Sequence, residues 1–247
     1  MSKLADRLQQ ALRVTPHPLG FRGSSTSSAS TSPTVVLIAS VSAEDAAAVA
    51  AGKEHADSVL LDKADSQTTN TLGEAIWGTR LAESSQKLVD QLKRTGCDFV
   101  VLDPAASPLD LLREDDLGKI VEVDPALGDG LIRAADRLPV DAVLVGGDSG
   151  LSIHRLMVCQ HIGRLVRKPI MIQVPISITK EALEELRDAG VAAVVAPVDA
   201  SGAKGLEKLK QVIDSLPPPS RKRPERVEAT LPYPGPAPQV EEEEDFE

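Results

Sequence analysis

Between residues 34 and 216 the chain alternates short runs of Val, Ile, Leu and Ala with longer stretches of helical periodicity. A continuous apolar run of four to eight residues reads as a strand buried on both faces, and such strands belong in parallel sheets covered by helices. Eight runs fit: Thr34–Ile38, Ser58–Leu61, Ala75–Leu81, Phe99–Leu102, Lys119–Val123, Ala142–Val145, Ile170–Val174 and Ala192–Ala196. The third, with Ile76-Trp-Gly-Thr-Arg-Leu81, is the least uniformly apolar. Helices are expected near 43–52, 83–95, 127–137, 151–166, 179–189 and 203–215, with short or irregular connections after the second and fourth strands. Ser42, Ser177 and Thr179 stand where helix N-caps are expected, the last two before a Lys-Glu-Ala-Leu-Glu run of capping-box type. Gly52, Gly96 and Gly190 stand where helices should end in a left-handed residue.

Eight strands joined by right-handed crossovers close into a (β/α)8 barrel. If the third run were a loop, a doubly wound open sheet would replace it. The domain organisation follows from composition. Residues 1–33 hold an amphipathic arm, with Leu4, Leu8 and Leu12 on one stripe, and a Ser-rich linker from Gly23 to Pro33. The arm is expected to cap the bottom of the barrel; its Arg and Ser content, with Asp6 as the one acid, also fits a transit peptide. The barrel occupies 34–216. From 217 to 247 a Pro-rich tail carries a basic cluster (Arg221, Lys222, Arg223, Arg226) and then an acidic end, and should be disordered.

Helical segments ending in Arg-Thr-Gly-Cys-Asp-Phe-Val-Val-Leu-Asp (94–103) and Arg-Asp-Ala-Gly-Val-Ala-Ala-Val-Val-Ala (187–196) resemble the TIM-barrel superfamily, in particular its phosphate-binding and flavin-binding members. The resemblance is one of architecture over about 180 residues, and it implies a fold rather than a reaction.

Charge and cysteine content narrow the function classes. A net charge of −10 argues against a nucleic-acid surface. Two cysteines fit a reducing, cytoplasmic setting. No apolar run approaches the ~20 residues that span a bilayer. No nucleophile elbow, P-loop or His-Glu-x-x-His motif occurs. His154, Cys159 and His161 share one helical segment, but a seven-residue His spacing does not suit chelation, so no metal is expected.

Chemistry in such a barrel sits at the C-terminal ends of the strands. Those ends carry Ser40, Asp62, Lys63, Arg80, Asp103, Glu122, Asp124, Gly146-Gly147-Asp148, Gln173 and Asp199. Alternation sharpens the choice. Val121 and Val123 claim the helix-covered face of the fifth strand, which turns Glu122 inward. Ile170, Ile172 and Val174 do the same for Gln173, and parity places Arg80 inward. Odd strands contribute to one interior layer, so the three residues are expected to meet. Their candidate roles are anion anchor (Arg80), general acid or base (Glu122) and orienting amide (Gln173), with Lys63 and Asp103 as further candidates. The same trio could equally close the barrel as a paired polar plug. For a phosphate, the loops offering Gly146 and Gly147, or Ser201, Gly202 and Lys204, are candidates, although Asp199 would oppose the second.

The repeat region, 34–216, is short for this architecture, and its loops offer little to enclose a substrate. Two functions follow. One is a small-molecule protein acting as a lyase, isomerase or flavin-dependent enzyme on a phosphorylated or anionic metabolite, its cofactor unknown. The other is a degenerate, non-catalytic barrel serving binding or homo-oligomeric assembly, with the charged tail as the contact segment for a protein partner.

Overall fold

The computed structural model describes residues 2–12, 35–81, 86–147, 150–199 and 202–217. Eight parallel strands form a closed barrel in sequential order: β1 (Val36–Val41), β2 (Ser58–Leu61), β3 (Trp77–Leu81), β4 (Phe99–Leu102), β5 (Gly118–Val123), β6 (Ala142–Val145), β7 (Ile170–Gln173) and β8 (Val191–Val198). The helices are α1 (Lys3–Leu12), α2 (Ala46–His55), α3 (Ser66–Leu72), α4 (Gln86–Arg94), α5 (Asp129–Arg137), α6 (Ile153–Leu165), α7 (Lys180–Asp188) and α8 (Ala203–Asp214). A 3-10 turn, Leu109–Arg113, stands in for a helix between β4 and β5. The open-sheet alternative is excluded, because β3 pairs with both β2 and β4.

Differences from the sequence reading lie mostly at element ends. β1 runs to Val41 rather than Ile38, because β8 continues beside it as far as Val198. A short helix, α3, fills the connection after β2 where none is read from the sequence. The cap of α2 is Asp45, not Ser42: its carboxylate accepts from the amides of Ala47 and Ala48 at 3.1 and 3.0 Å. Thr179 does cap α7, through the Ala182 amide. Gly96 and Gly190 have positive φ, but Gly52 lies inside α2. There it lets the helix approach the sheet, since a Cβ would meet Ala39 Cβ at 3.2 Å and Val59 Cγ2 at 3.3 Å.

Two apolar cores flank the sheet. The outer one joins alternate strand residues such as Val121, Val123, Ile170 and Ile172 to the helices. The inner one fills the barrel with Ile38, Leu60, Phe99, Val101, Ile120, Leu144, Met171 and Val195, and α1 adds Leu4 and Leu8 at its lower end. The entry of α1 is fixed by Asp98 at the foot of β4. Its carboxylate accepts from Ser2 Oγ (2.7 Å) and from the amides of Lys3 (2.8 Å) and Leu4 (2.9 Å), which satisfies donors that a helix start otherwise leaves orphaned. Ser2 completes the cap by accepting from the Ala5 amide at 3.2 Å.

Leu8 is 1% exposed inside the barrel foot, so Leu8→Ala should lower unfolding free energy by about 2–5 kcal/mol in denaturant titrations. Gly78→Ala should be similarly harmful, about 3 kcal/mol, because the new Cβ would fall 2.3 Å from the Phe99 carbonyl oxygen.

Candidate functional site

The register of the strands determines which side chains share a level. Starting at Ser40 and crossing two strands reaches Gly78, through Leu60; the residue at the same height is two positions further on, Arg80. The same step leads from Arg80 to Glu122, from Glu122 to Gln173, and from Gln173 back to Ser40. Four steps of two residues close the ring, the shear expected of an eight-stranded barrel. The uppermost interior layer is therefore Ser40, Arg80, Glu122 and Gln173, all polar. Beneath it the even strands supply Leu60, Val101, Leu144 and Val195, all buried and aliphatic.

Within the polar layer the contacts are direct. Arg80 Nη1 donates to Glu122 Oε2 at 2.5 Å. With the Gln173 amide turned so that both its ends find partners, its oxygen accepts from Arg80 Nη2 at 2.7 Å and its nitrogen donates to the Gly147 carbonyl at 3.3 Å. The structure thus brings Arg80, Glu122 and Gln173 together and ties them to the loop after β6. The ion pair is not sealed: the side chains of Arg80 and Glu122 keep 25% and 32% of their surface exposed.

Gly146 and Gly147 border this layer. A Cβ at Gly146 would stand 3.2 Å from Glu122 Oε1, and Gly147 has a φ of +97°. Arg155 of α6 supports both from behind. It is buried, and donates to the Gly146 carbonyl at 2.6 Å and the Val145 carbonyl at 3.1 Å. This residue does not figure among the strand-end candidates. Its signal lies in helical spacing, because Arg155, Cys159 and Ile162 form one buried stripe, and a charge on such a stripe must have an inward task.

The remaining candidates lie apart. Lys63 is exposed beyond β2. Asp103 closes a local turn by accepting from the Ala105 amide at 2.8 Å, and Asp124 does the same with Ala126. Gly202 occupies the N-cap position of α8, and its amide donates to the Asp199 carbonyl at 2.9 Å. A Cβ there would stand 3.2 Å from the Asp199 carboxylate, so an acid lies against this candidate phosphate loop. Ser201 and Asp148 lie outside the described residues. Among the described residues no cluster of three or more His, Cys, Asp or Glu could hold a metal, and His161 contacts Asp129 at 2.9 Å. No described helix is long and apolar enough to cross a membrane.

No protein-family model matches the chain, nor does any curated protein. Solved structures do. Two mutant forms of the tryptophan synthase alpha subunit from the hyperthermophile Pyrococcus furiosus are similar with TM-scores of 0.56 and 0.55, each at 13% identity over 73% of this chain and 97% of that one. A cube-shaped porous cage, designed by fusing symmetric oligomeric domains, is similar with a TM-score of 0.52 at 14% identity, covering 73% of this chain and 71% of the other. The chain is a TIM barrel. At these identities the likeness concerns the fold alone, and the chemistry of this TIM barrel rests on its own residues.

Neither cysteine of the TIM barrel is a nucleophile in waiting. Both are free and buried. Burial pushes the Cys97 thiol up to about 12 and the Cys159 thiol up to about 11. At pH 8 both remain protonated in the folded protein, and the thiolate is the reactive form. An aromatic disulfide reagent at pH 8 should therefore leave the native chain essentially unlabelled over minutes, and titrate both thiols at once in denaturant.

Proposed function

We propose that this TIM barrel binds a small anionic or phosphorylated metabolite at its C-terminal mouth, with Arg80 as the anchor. The observation that carries this reading is the partly exposed Arg80–Glu122 pair, joined by Gln173, on top of a buried aliphatic layer. A plug has no need of charge there. Replacing a paired charge inside a protein by apolar groups is often neutral or stabilising, so an aliphatic lid would close the barrel as well or better. A guanidinium held in place by an acid and an amide is instead suited to exchanging its carboxylate partner for the carboxylate or phosphate of a ligand. Glu122, released from Arg80, would stand beside the bound anion as a group able to take or give a proton, the elementary step of isomerases and lyases. Gln173 would keep the guanidinium oriented, itself held by the Gly147 carbonyl.

A second reading, a non-catalytic barrel used for binding or assembly, draws on the same geometry: Glu122 and Gln173 already occupy donors of Arg80. Calorimetric titration with inorganic phosphate, pyrophosphate and small carboxylates separates the two. In the first reading Glu122→Gln, which weakens the internal competitor, raises anion affinity several-fold over the wild type, and Arg80→Met abolishes it. Absence of binding in all three proteins would leave the assembly reading standing. Because the pair is partly open to water, Glu122→Gln should cost only about 1 kcal/mol in stability, not the 3–5 kcal/mol of breaking a fully buried pair.

A further inference from the structure

The outer crest of α6 is chemically unlike a solvated helix face. Arg155, Cys159 and Ile162 turn toward the barrel, so Ile153, Met157 and Arg164, about half a turn round from them, form the crest. Ile153 is 81% and Met157 60% exposed. Single apolar side chains on a surface are ordinary, but these two stand one turn apart and make one patch. Cations adjoin it. α5 packs beside α6 through the Asp129–His161 and Asp136–Arg167 pairs, at 2.9 and 3.1 Å. Arg133 and Arg137 of α5 are exposed, and neither they nor Arg164 make an ion pair among the described residues.

On its other side α6 adjoins α7, whose charge has the opposite sign. Glu181, Glu184, Glu185 and Asp188 outnumber Lys180 and Arg187, and Glu184 and Glu185 make no ion pair among the described residues. The chain leaves the barrel beside this helix, where Arg187 donates to the Pro217 carbonyl. Beyond that point the charges of the sequence run in the same order as those of the surface, with the signs exchanged. Arg221, Lys222, Arg223 and Arg226 come first, opposite an acidic helix; four glutamates, Asp245, Phe246 and Glu247 come last, opposite a basic and apolar crest. The 23 residues from 218 to 240 give roughly 75 Å of extended chain, ample to cross a helix about 10–12 Å wide.

We infer that the acidic end of this chain, 241–247, docks on the outer crest of α6 of the same molecule, its carboxylates on Arg133, Arg137 and Arg164 and Phe246 against Ile153 and Met157. The basic cluster lies along α7 on the way. An aromatic ring against a thioether is a favourable contact, and the acids around Phe246 match the cations around Met157. Exposed ion pairs are individually weak and screened by salt. The tether offsets this, because it holds the segment at an effective concentration on the order of millimolar. A second copy's tail meets the crest only at its concentration in solution. This surface stands or falls apart from the anion site at the mouth.

Val240→Cys puts a reactive thiol next to the acidic end, since Cys97 and Cys159 are buried. A nitroxide attached there in the full-length chain should broaden the Ile153 amide and Met157 methyl NMR signals at least twofold more than the amide of Leu72, on α3 across the barrel. The difference should hold at an ionic strength of about 0.1 M and vanish at about 1 M, where the Debye length falls to about 3 Å. Arg133→Glu combined with Arg164→Glu should abolish it, Phe246→Ala should at least halve it, and Arg80→Met should leave it unchanged. Arg133 and Arg164 are exposed and Phe246 lies beyond the barrel, so these variants keep the fold. Isotope-labelled chains mixed with separate nitroxide-bearing chains should show no such broadening. Even broadening over the whole surface, persistence at about 1 M salt or in the double arginine variant, or equal broadening in the mixture, as for docking on a second copy, would each overturn the inference.

Discussion

A parallel barrel covered by helices leaves its strands no face that meets water, and this constraint governs the remainder of the molecule. The outer face must be apolar to pack against helices, and the lower interior must be apolar because nothing there can solvate a charge. A charged strand residue needs either the interior near an open end or, as for Lys119 at the start of β5, backbone carbonyls to receive it. The two-residue stagger between alternate strands then turns four separate addresses into one ring, so Ser40, Arg80, Glu122 and Gln173 meet although 133 positions separate the first from the last. Their convergence is a consequence of closure and needs no local motif.

That is also why so much of the fold is legible in the sequence. Each strand is a short, mainly apolar run, and parity assigns the polar residues near the upper ends of the odd strands, Ser40, Arg80, Glu122 and Gln173, to the inside. Arg80 is the hardest case, since its strand contains Trp77, Gly78 and Thr79 and looks mixed; Gly78 reads as a weakness until Phe99 is seen occupying the space its side chain would need. What the sequence conceals depends on contacts across distance. Gly52 looks like a helix end because its partners, Ala39 and Val59, come from two other elements. Asp45 outcompetes Ser42 as a cap because the helix starts later than its apolar pattern suggests. Ser40 joins the ring only because β8 prolongs β1 beyond its apolar run.

The mouth and the foot solve the problem of ending a barrel differently. At the mouth, side chains from the strands themselves pair across the opening and stay partly wet. At the foot, a separate helix inserts Leu4 and Leu8, and backbone amides are handed to Asp98. The roles suggested for Lys63 and Asp103 at the mouth have less behind them, since one is exposed and the other serves its own turn. Arg155, anchored to the carbonyls of Val145 and Gly146, has more bearing on the mouth than either.

The anchoring of α1 has a consequence for the order in which the elements assemble. The helix touches β1, β5 and β8, and its first turn is held by a carboxylate more than ninety positions along the chain. A helix that precedes every strand of the barrel thus has its receptor on β1, β5 and β8, which exists in full only once the last strand has closed on the first. In the interval its leucines have nowhere to go, and the arm acts as a late seal on the barrel rather than as its seed.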